Sequence, residues 1–396
     1  MRSSAGAMSL TVALMVSPSN HEGVAPRAFP RTEPAHPSPA LAALAITGPH
    51  PHRALPMTSL MRAEIEEIPA AVARLLGDGA ADLAAAGAAL RDCDPAAIVT
   101  IARGSSDQAA SFLKYAIELT AGVPVASIGP SIASIYNRPM KLGRCASISI
   151  SQSGKSPDIV AMTEMAARSG ALTVALTNSP GSPLAEASER DIDLRAGPER
   201  SVAATKSFVS SIVAGLAVLA AWTADEALAK AVARLPTTLA PGLELDWTPL
   251  RDALGPDGSV YVLGRGPALA IAGEASLKLK ETCGIHAEAY SAAEVVHGPS
   301  RIVEASFPIL ALAAHDAAEQ SVAEIAERLA GQGARVFATS RLAASALHLP
   351  VPETGHPITD ALALVVPFYA LAEALSRHLG NDPDRPPHLK KVTETL

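Results

Sequence analysis

Beyond residue 57 the chain alternates two hydrophobic patterns. Short continuous runs of apolar and β-branched residues give way to longer runs with apolar residues at helical spacing, the pattern of a parallel sheet covered by helices. Residues 97–103 (AIVTIAR), 123–128, 145–152 (CASISISQ), 172–178 (LTVALTN) and 191–194 predict strands. Residues 105–121, 156–169 and 203–222 predict helices between and after them. A polar, proline-containing connection over 225–258 leads to a second alternating set that starts at Val260.

The second set repeats the first. Sliding the chain by 162 residues without a gap places Arg103-Gly104 on Arg265-Gly266, Gly122 on Gly284, Val123 on Ile285, and Val174 with Thr177 on Val336 with Thr339. An offset held this long indicates a duplicated α/β domain, and the period is too long for a solenoid. The copies differ at one strand end: Ser151-Gln152-Ser153-Gly154 falls opposite Ala313-Ala314-His315-Asp316. The hydroxyl cluster belongs to the first copy alone.

Residues 1–56 have another character. They hold nine of the 32 prolines and four of the 11 histidines without sustained periodicity, so a disordered extension is expected. Residues 8–16 are apolar enough for a short signal core, but one arginine precedes them and no small-x-small cleavage site follows closely. Met57 is a candidate natural start.

Composition narrows the function. An apolar fraction of 48% supplies core material, and a net charge of −7 without a basic block argues against nucleic acid and anionic membrane as partners. Three cysteines without a CxxC pair exclude a disulfide framework or zinc ribbon and fit a reducing cytoplasm. No HxxxH pair occurs, so no metal site is expected, and the longest apolar stretches stay short of the 18 or so residues of a membrane span.

Two segments carry candidate chemistry. SQSG at a strand end, followed by Ser156 as N-cap, Pro157 at the first helical position and Asp158 in the first turn, places hydroxyls and free N–H groups at a helix N-terminus, an anion cradle. Ser105 and Ser106, after Gly104 at the first strand end, supply further hydroxyls where open α/β sheets bind ligands. Ordinary caps and turns are the alternative for each segment alone; together they point to a phosphate or phosphosugar. In the second copy, Glu274, Lys278 and Glu281 at i, i+4 and i+7 fall within about 60° on one helix. They form either a solvated salt-bridged face or a reactive stripe. His297-Gly298-Pro299 is either a proton-transfer turn or a surface turn.

Ser151–Gly154 with Ser156, EASLKLKE (274–281), IHAEAY (285–290), HGP (297–299) and Lys390-Lys391-Val392-Thr393 together resemble the tandem sugar-isomerase (SIS) domains of glucosamine-6-phosphate synthase, over about 57–396. The resemblance implies two doubly wound, flavodoxin-like parallel sheets: an SIS domain at 57–224 with leading helices, a linker at 225–258 and a second SIS domain at 259–396 with the tail. Residues 1–56 are too short to be the synthase's glutaminase domain. SQSGKSPDIV looks like the stand-alone SIS-type glucosamine-6-phosphate deaminases. Their reaction yields fructose 6-phosphate and ammonia without a cofactor; galactosamine 6-phosphate, a fructosamine phosphate, or mere phosphosugar sensing are the alternatives. The resemblance assigns Ser105, Ser106, Ser151, Gln152, Ser153 and Ser156 to phosphate and sugar binding. Glu281 becomes the proton-transferring carboxylate, Glu274 and Lys278 the flanking site residues with Lys278 catalytic and Glu274 substrate-binding, Glu199 an acidic substrate-binding residue before Thr205-Lys206, and His297 the ring-opening group. The tail lysine is Lys391 or, by a different count, Lys390, with Lys391 favoured. Ala204 departs from the family, where a serine hydroxyl helps hold the sugar. Relatives place HGP near a neighbouring subunit's site, which implies a homodimer.

Overall fold

A computed structural model describes residues 58–256 and 258–391. The expected N-terminal extension, 1–56, and the tail beyond 391 lie outside the described residues.

Three helices lead in: α1 (Leu60–Glu66), α2 (Ile68–Asp78) and α3 (Ala80–Cys93). The first sheet and its helices follow as β1 (Ala97–Ile101), α4 (Ser105–Thr120), β2 (Val125–Ser127), α5 (Ser131–Ser134), β3 (Cys145–Ser151), α6 (Pro157–Arg168), β4 (Leu172–Thr177), α7 (Pro183–Glu186), β5 (Arg190–Asp193) and α8 (Lys206–Thr223). After α9 (Glu226–Leu239) and α10 (Thr248–Arg251) comes the second set: β6 (Ser259–Gly264), α11 (Pro267–Cys283), β7 (His286–Ser291), β8 (Pro308–Ala311), α12 (Glu319–Gly331), β9 (Arg335–Ala338), β10 (Leu347–His348), α13 (Pro357–Ala363) and α14 (Val365–His378).

Both sheets are five-stranded and parallel, ordered β2-β1-β3-β4-β5 and β7-β6-β8-β9-β10. This is the doubly wound order expected of two tandem α/β domains. The duplication holds at residue level: β1 and β6 start at Ala97 and Ser259, α4 and α11 at Ser105 and Pro267, α6 and α12 at Pro157 and Glu319, each pair 162 residues apart. Because both faces of each sheet are covered, the inner strands are buried on both sides and largely apolar, as in Ile98, Val99 and Ile101 or Val260, Val262 and Leu263, with small hydroxyl residues such as Ser147 and Ser149 buried among them.

The connection expected over 225–258 is helical where it was read as polar linker. Leu228, Val232, Leu235 and Leu239 of α9 repeat at helical spacing and are buried, and Trp247 donates its indole N–H to the Pro350 carbonyl at 2.9 Å. Two segments, Lys206–Thr223 and Pro357–His378, reach the length and apolarity of a membrane span, which shorter uninterrupted apolar stretches had not suggested. Both are buried inside the fold, and a helix enclosed by others is apolar nearly all round for that reason.

Candidate active site

Two glycines shape the strand ends. Gly104, between β1 and α4, has φ 57° and ψ −133°, and Gly266, between β6 and α11, has φ 61° and ψ −140°. A side chain is hardly tolerated in that basin. The sharp turn lets Ser105 open α4 directly at the carboxyl edge of the first sheet.

One strand over, β3 ends at Ser151 and the chain turns into α6, with Ser156 as N-cap and Pro157 as first helical residue, as the sequence predicts. The Gly154 N–H donates to Ser151 Oγ at 3.2 Å, the Lys155 N–H donates to Ser153 Oγ at 3.3 Å, and the Asn178 N–H donates to the Gln152 carbonyl at 3.1 Å. Two hydroxyls therefore hold the loop in shape, while Ser156 makes no side-chain cap bond. Gly154, at φ 61°, packs so tightly that a Cβ would run into Ser182.

The other wall comes from the second domain. Helix α11 crosses α4 at Gly273, where a side chain would collide with Gln108. That close approach brings Glu274, Lys278 and Glu281 to Ser105. Lys278 is wholly buried; its Nζ donates to Ser105 Oγ at 2.8 Å and to Glu281 Oε2 at 2.5 Å, and lies 3.4 Å from Glu274 Oε1. Burial opposes the Lys278 charge, but the two carboxylates outweigh it and hold its pKa above the ordinary value. Glu274 is also wholly buried and accepts a hydrogen bond from Tyr369 Oη at 2.7 Å. Burial pushes its carboxyl up to about 7 despite Lys278 and Tyr369. Glu281 is the member of the stripe that reaches solvent, its side chain one-quarter exposed. A solvated face would leave all three in water, and it does not describe this stripe.

Facing Glu281 is a cleft of about 630 Å³, lined by Arg103, Ser105, Gln152, Ala204 and the tail from His388 to Lys391. Glu199 lies beneath the tail, wholly buried. It accepts bonds from Ser207 Oγ (2.6 Å), the N–H groups of Thr205 (3.0 Å) and Ser207 (3.1 Å), and Lys391 Nζ (3.2 Å). Burial works to raise its pKa, but Lys391 and these donors hold it below the usual carboxylate value. Both tail lysines line the cleft, and Lys391 makes the ion pair.

Of the residues singled out from sequence, Ser105, Gln152, Glu281 and Lys391 thus meet at the cleft, Glu274, Lys278 and Glu199 back them, and Ser151, Ser153 and Ser156 form the adjoining loop. Ser106 is half-buried in the first turn of α4 and is not part of the cleft lining. His297 is exposed, at the end of a 3₁₀ turn after β7, and does not line the cleft either. Strand β7 is an edge of its sheet, and the segment after it is tied to β6, the Ala292 N–H donating to the Gly264 carbonyl and Tyr261 Oη to the Pro299 carbonyl at 3.0 Å.

Sequence reasoning missed Arg103, which lines the cleft and pairs with the buried Asp158 of α6. Its signal was the Arg-Gly pair repeated at 265–266. It also missed Tyr369, for which an apolar helix far along the chain gave no signal.

The SIS domain family matches residues 90–221 and 254–365, the two sheets just described. The chain belongs to the SIS-domain family. Among curated relatives it is 33% identical over 315 residues to glutamine–fructose-6-phosphate aminotransferase [isomerizing] of Symbiobacterium thermophilum, covering 74% of this chain and 51% of that protein. The same-named protein of Leifsonia xyli is 32% identical over 364 residues, covering 84% and 58%. The chain thus spans about half the length of the curated relatives it matches. Among solved structures, a provisionally assigned phosphosugar isomerase from Silicibacter pomeroyi is 54% identical with a TM-score of 0.80, covering 83% of this chain and all of that one. The C-terminal domain of glucosamine-fructose-6-phosphate aminotransferase from Francisella tularensis is 25% identical with a TM-score of 0.73, covering 83% and 98%.

Proposed function

We propose that this SIS protein is an amino-sugar phosphate deaminase/isomerase that converts glucosamine 6-phosphate and water to fructose 6-phosphate and ammonia. One observation carries the reading: Glu281, partly open to a cleft that Arg103, Ser105, Gln152 and the tail lysines line, sits 2.5 Å from a wholly buried lysine. In this reading the SQSG loop and the start of α6 take the phosphate, which fixes the sugar chain. His297 of the partner subunit opens the ring, so the working unit is a homodimer. Glu281 removes the C2 proton and returns it to C1, while Lys278 offsets the negative charge that develops between them. The resulting C2 imine adds water and expels ammonia, which balances the reaction. Ala204 lines the cleft in place of a hydroxyl, which favours a second reading within the class: another amino-sugar phosphate, such as galactosamine 6-phosphate or a fructosamine phosphate.

Ammonia release by the purified chain across a panel of 6-phosphorylated amino sugars tests both readings. Glucosamine 6-phosphate should turn over fastest; a faster epimer or fructosamine phosphate would select the second reading. No ammonia from any member, or product formation that requires glutamine, would overturn the proposal.

A further inference from the structure

Open sheets of this winding hold ligands beyond the carboxyl ends of their strands, where adjacent connections leave in opposite directions. In the first sheet that point lies between β1 and β3 and is the cleft already described. In the second it lies between β6 and β8, and there a separate cleft of about 820 Å³ opens. It is lined by Arg265, Ser291, Asp316 and His356 together with Tyr115 from α4. Arg265 stands 162 residues after Arg103, and Asp316 the same distance after Gly154. The two clefts also share helices: α4 starts at the first and passes Tyr115 along the second, whereas α11 starts at the second and carries Glu281 to the first.

The second cleft has lost the first one's chemistry and kept a polar lining. Pro267 stands where Ser105 does, Leu119 where Glu281 does, and the loop hydroxyls of Ser151, Ser153 and Ser156 are replaced by Ala313, His315 and Ala318. The Ala318 N–H donates to Asp316 Oδ1 at 2.8 Å, so a carboxylate stands at the helix start where the first copy has Gly154. Asp225 and Glu294 line the cleft as well, which sets three carboxylates against the one guanidinium of Arg265. That balance repels phosphate and attracts an ammonium group. The neutral polar groups suit hydroxyls. The Ile358 N–H donates to His356 Nδ1 at 3.3 Å, which leaves the ring proton on Nε2 as a donor, and Tyr115 and Ser291 each bring a hydroxyl that both donates and accepts.

We propose that this cleft is a second sugar site, for an unphosphorylated amino sugar whose ammonium pairs with Asp316 and whose ring hydroxyls bond Tyr115, Ser291 and His356. The inference is independent of the activity proposed for the first cleft. Calorimetric titration of the full chain with glucosamine tests it, repeated on a second-cleft variant, Asp316→Asn, and on a first-cleft variant, Ser153→Ala. Binding should weaken about 10-fold or more in Asp316→Asn, through loss of a charge-assisted bond, and stay unchanged in Ser153→Ala; neither glucose nor glucosamine 6-phosphate should compete at this cleft. If Asp316→Asn unfolds, Tyr115→Phe, which alters no helix cap, should weaken binding instead. The proposal is overturned by absence of glucosamine binding at millimolar concentration, by binding lost in Ser153→Ala but kept in Asp316→Asn and Tyr115→Phe, or by preference of this cleft for the phosphate ester.

Discussion

Replacing Glu281 by glutamine separates a proton shuttle from a structural ion pair. The side chain keeps its size and an oxygen that can accept from Lys278 Nζ, at a contact that is 2.5 Å in the native protein. Lys278 also retains Glu274 at 3.4 Å as counter-ion. Glu281 helps to raise the Glu274 pKa, so removing its charge lets Glu274 ionise more readily and restores part of the lost compensation. The structural cost should be about 1–2 kcal/mol, the loss of charge from one partly exposed hydrogen bond. Catalysis should lose far more, because an amide cannot accept the C2 proton. General-base removal costs on the order of 10²–10⁴-fold in kcat, or about 3–5 kcal/mol of barrier. In the proposed reading the SQSG loop holds the phosphosugar, so affinity should change little. Ammonia release under saturating glucosamine 6-phosphate gives kcat, calorimetric titration gives affinity, and thermal denaturation gives the structural cost. A variant that turns over within about threefold of the native rate while losing stability would remove Glu281 from the chemistry.

Four further outcomes are expected. Gly104→Ala should lose about 1–3 kcal/mol in urea denaturation, since φ 57° with ψ −133° strains any side chain, although no atom lies near the added Cβ. Glu274, with a folded pKa of about 7 against an ordinary 4.5, keeps a proton between those values that the unfolded chain has lost. Its contribution to stability is therefore full below about 4.5 and falls away up to about 7, on the order of 3 kcal/mol; the Tm of the native protein should drop relative to Glu274→Gln across that window, and parallel curves would refute it. Lys391→Met should raise the Glu199 pKa, because the lysine is the strongest group holding it down, and should lower kcat/KM more as pH falls; an unchanged pH profile would contradict the pairing. A chain beginning at Met57 should keep fold and activity, because α1 is capped from within by Ser59 Oγ, which accepts from the Arg62 N–H, and by Asp384, whose carboxylate accepts from the Leu60 and Met61 N–H groups; circular dichroism and the ammonia assay check this.

The sequence by itself determined the two sheets, their duplication and the loop at Ser151–Ser156. Each is written locally: strands with both faces covered read as short runs of apolar and small residues, helices carry a 3.6-residue period, and a Ser-Pro-Asp start sits where a helix needs caps. The stripe of Glu274, Lys278 and Glu281 was equally visible, since residues four and seven apart share one helix face whatever surrounds them. Whether that face met water or protein was not, because burial depends on what packs across it. Helix α4 lies more than 150 residues earlier and approaches α11 through the gap at Gly273. Tertiary packing likewise made Tyr369 the partner of Glu274, set Lys391 over Glu199 and turned α9 from an apparent linker into part of the core. The Tyr369–Glu274 and Lys391–Glu199 contacts join residues 95 and 192 positions apart, and no local periodicity carries them. The same holds for His297: its motif reads clearly in sequence, yet only the tertiary structure shows it exposed on a turn outside the cleft lining.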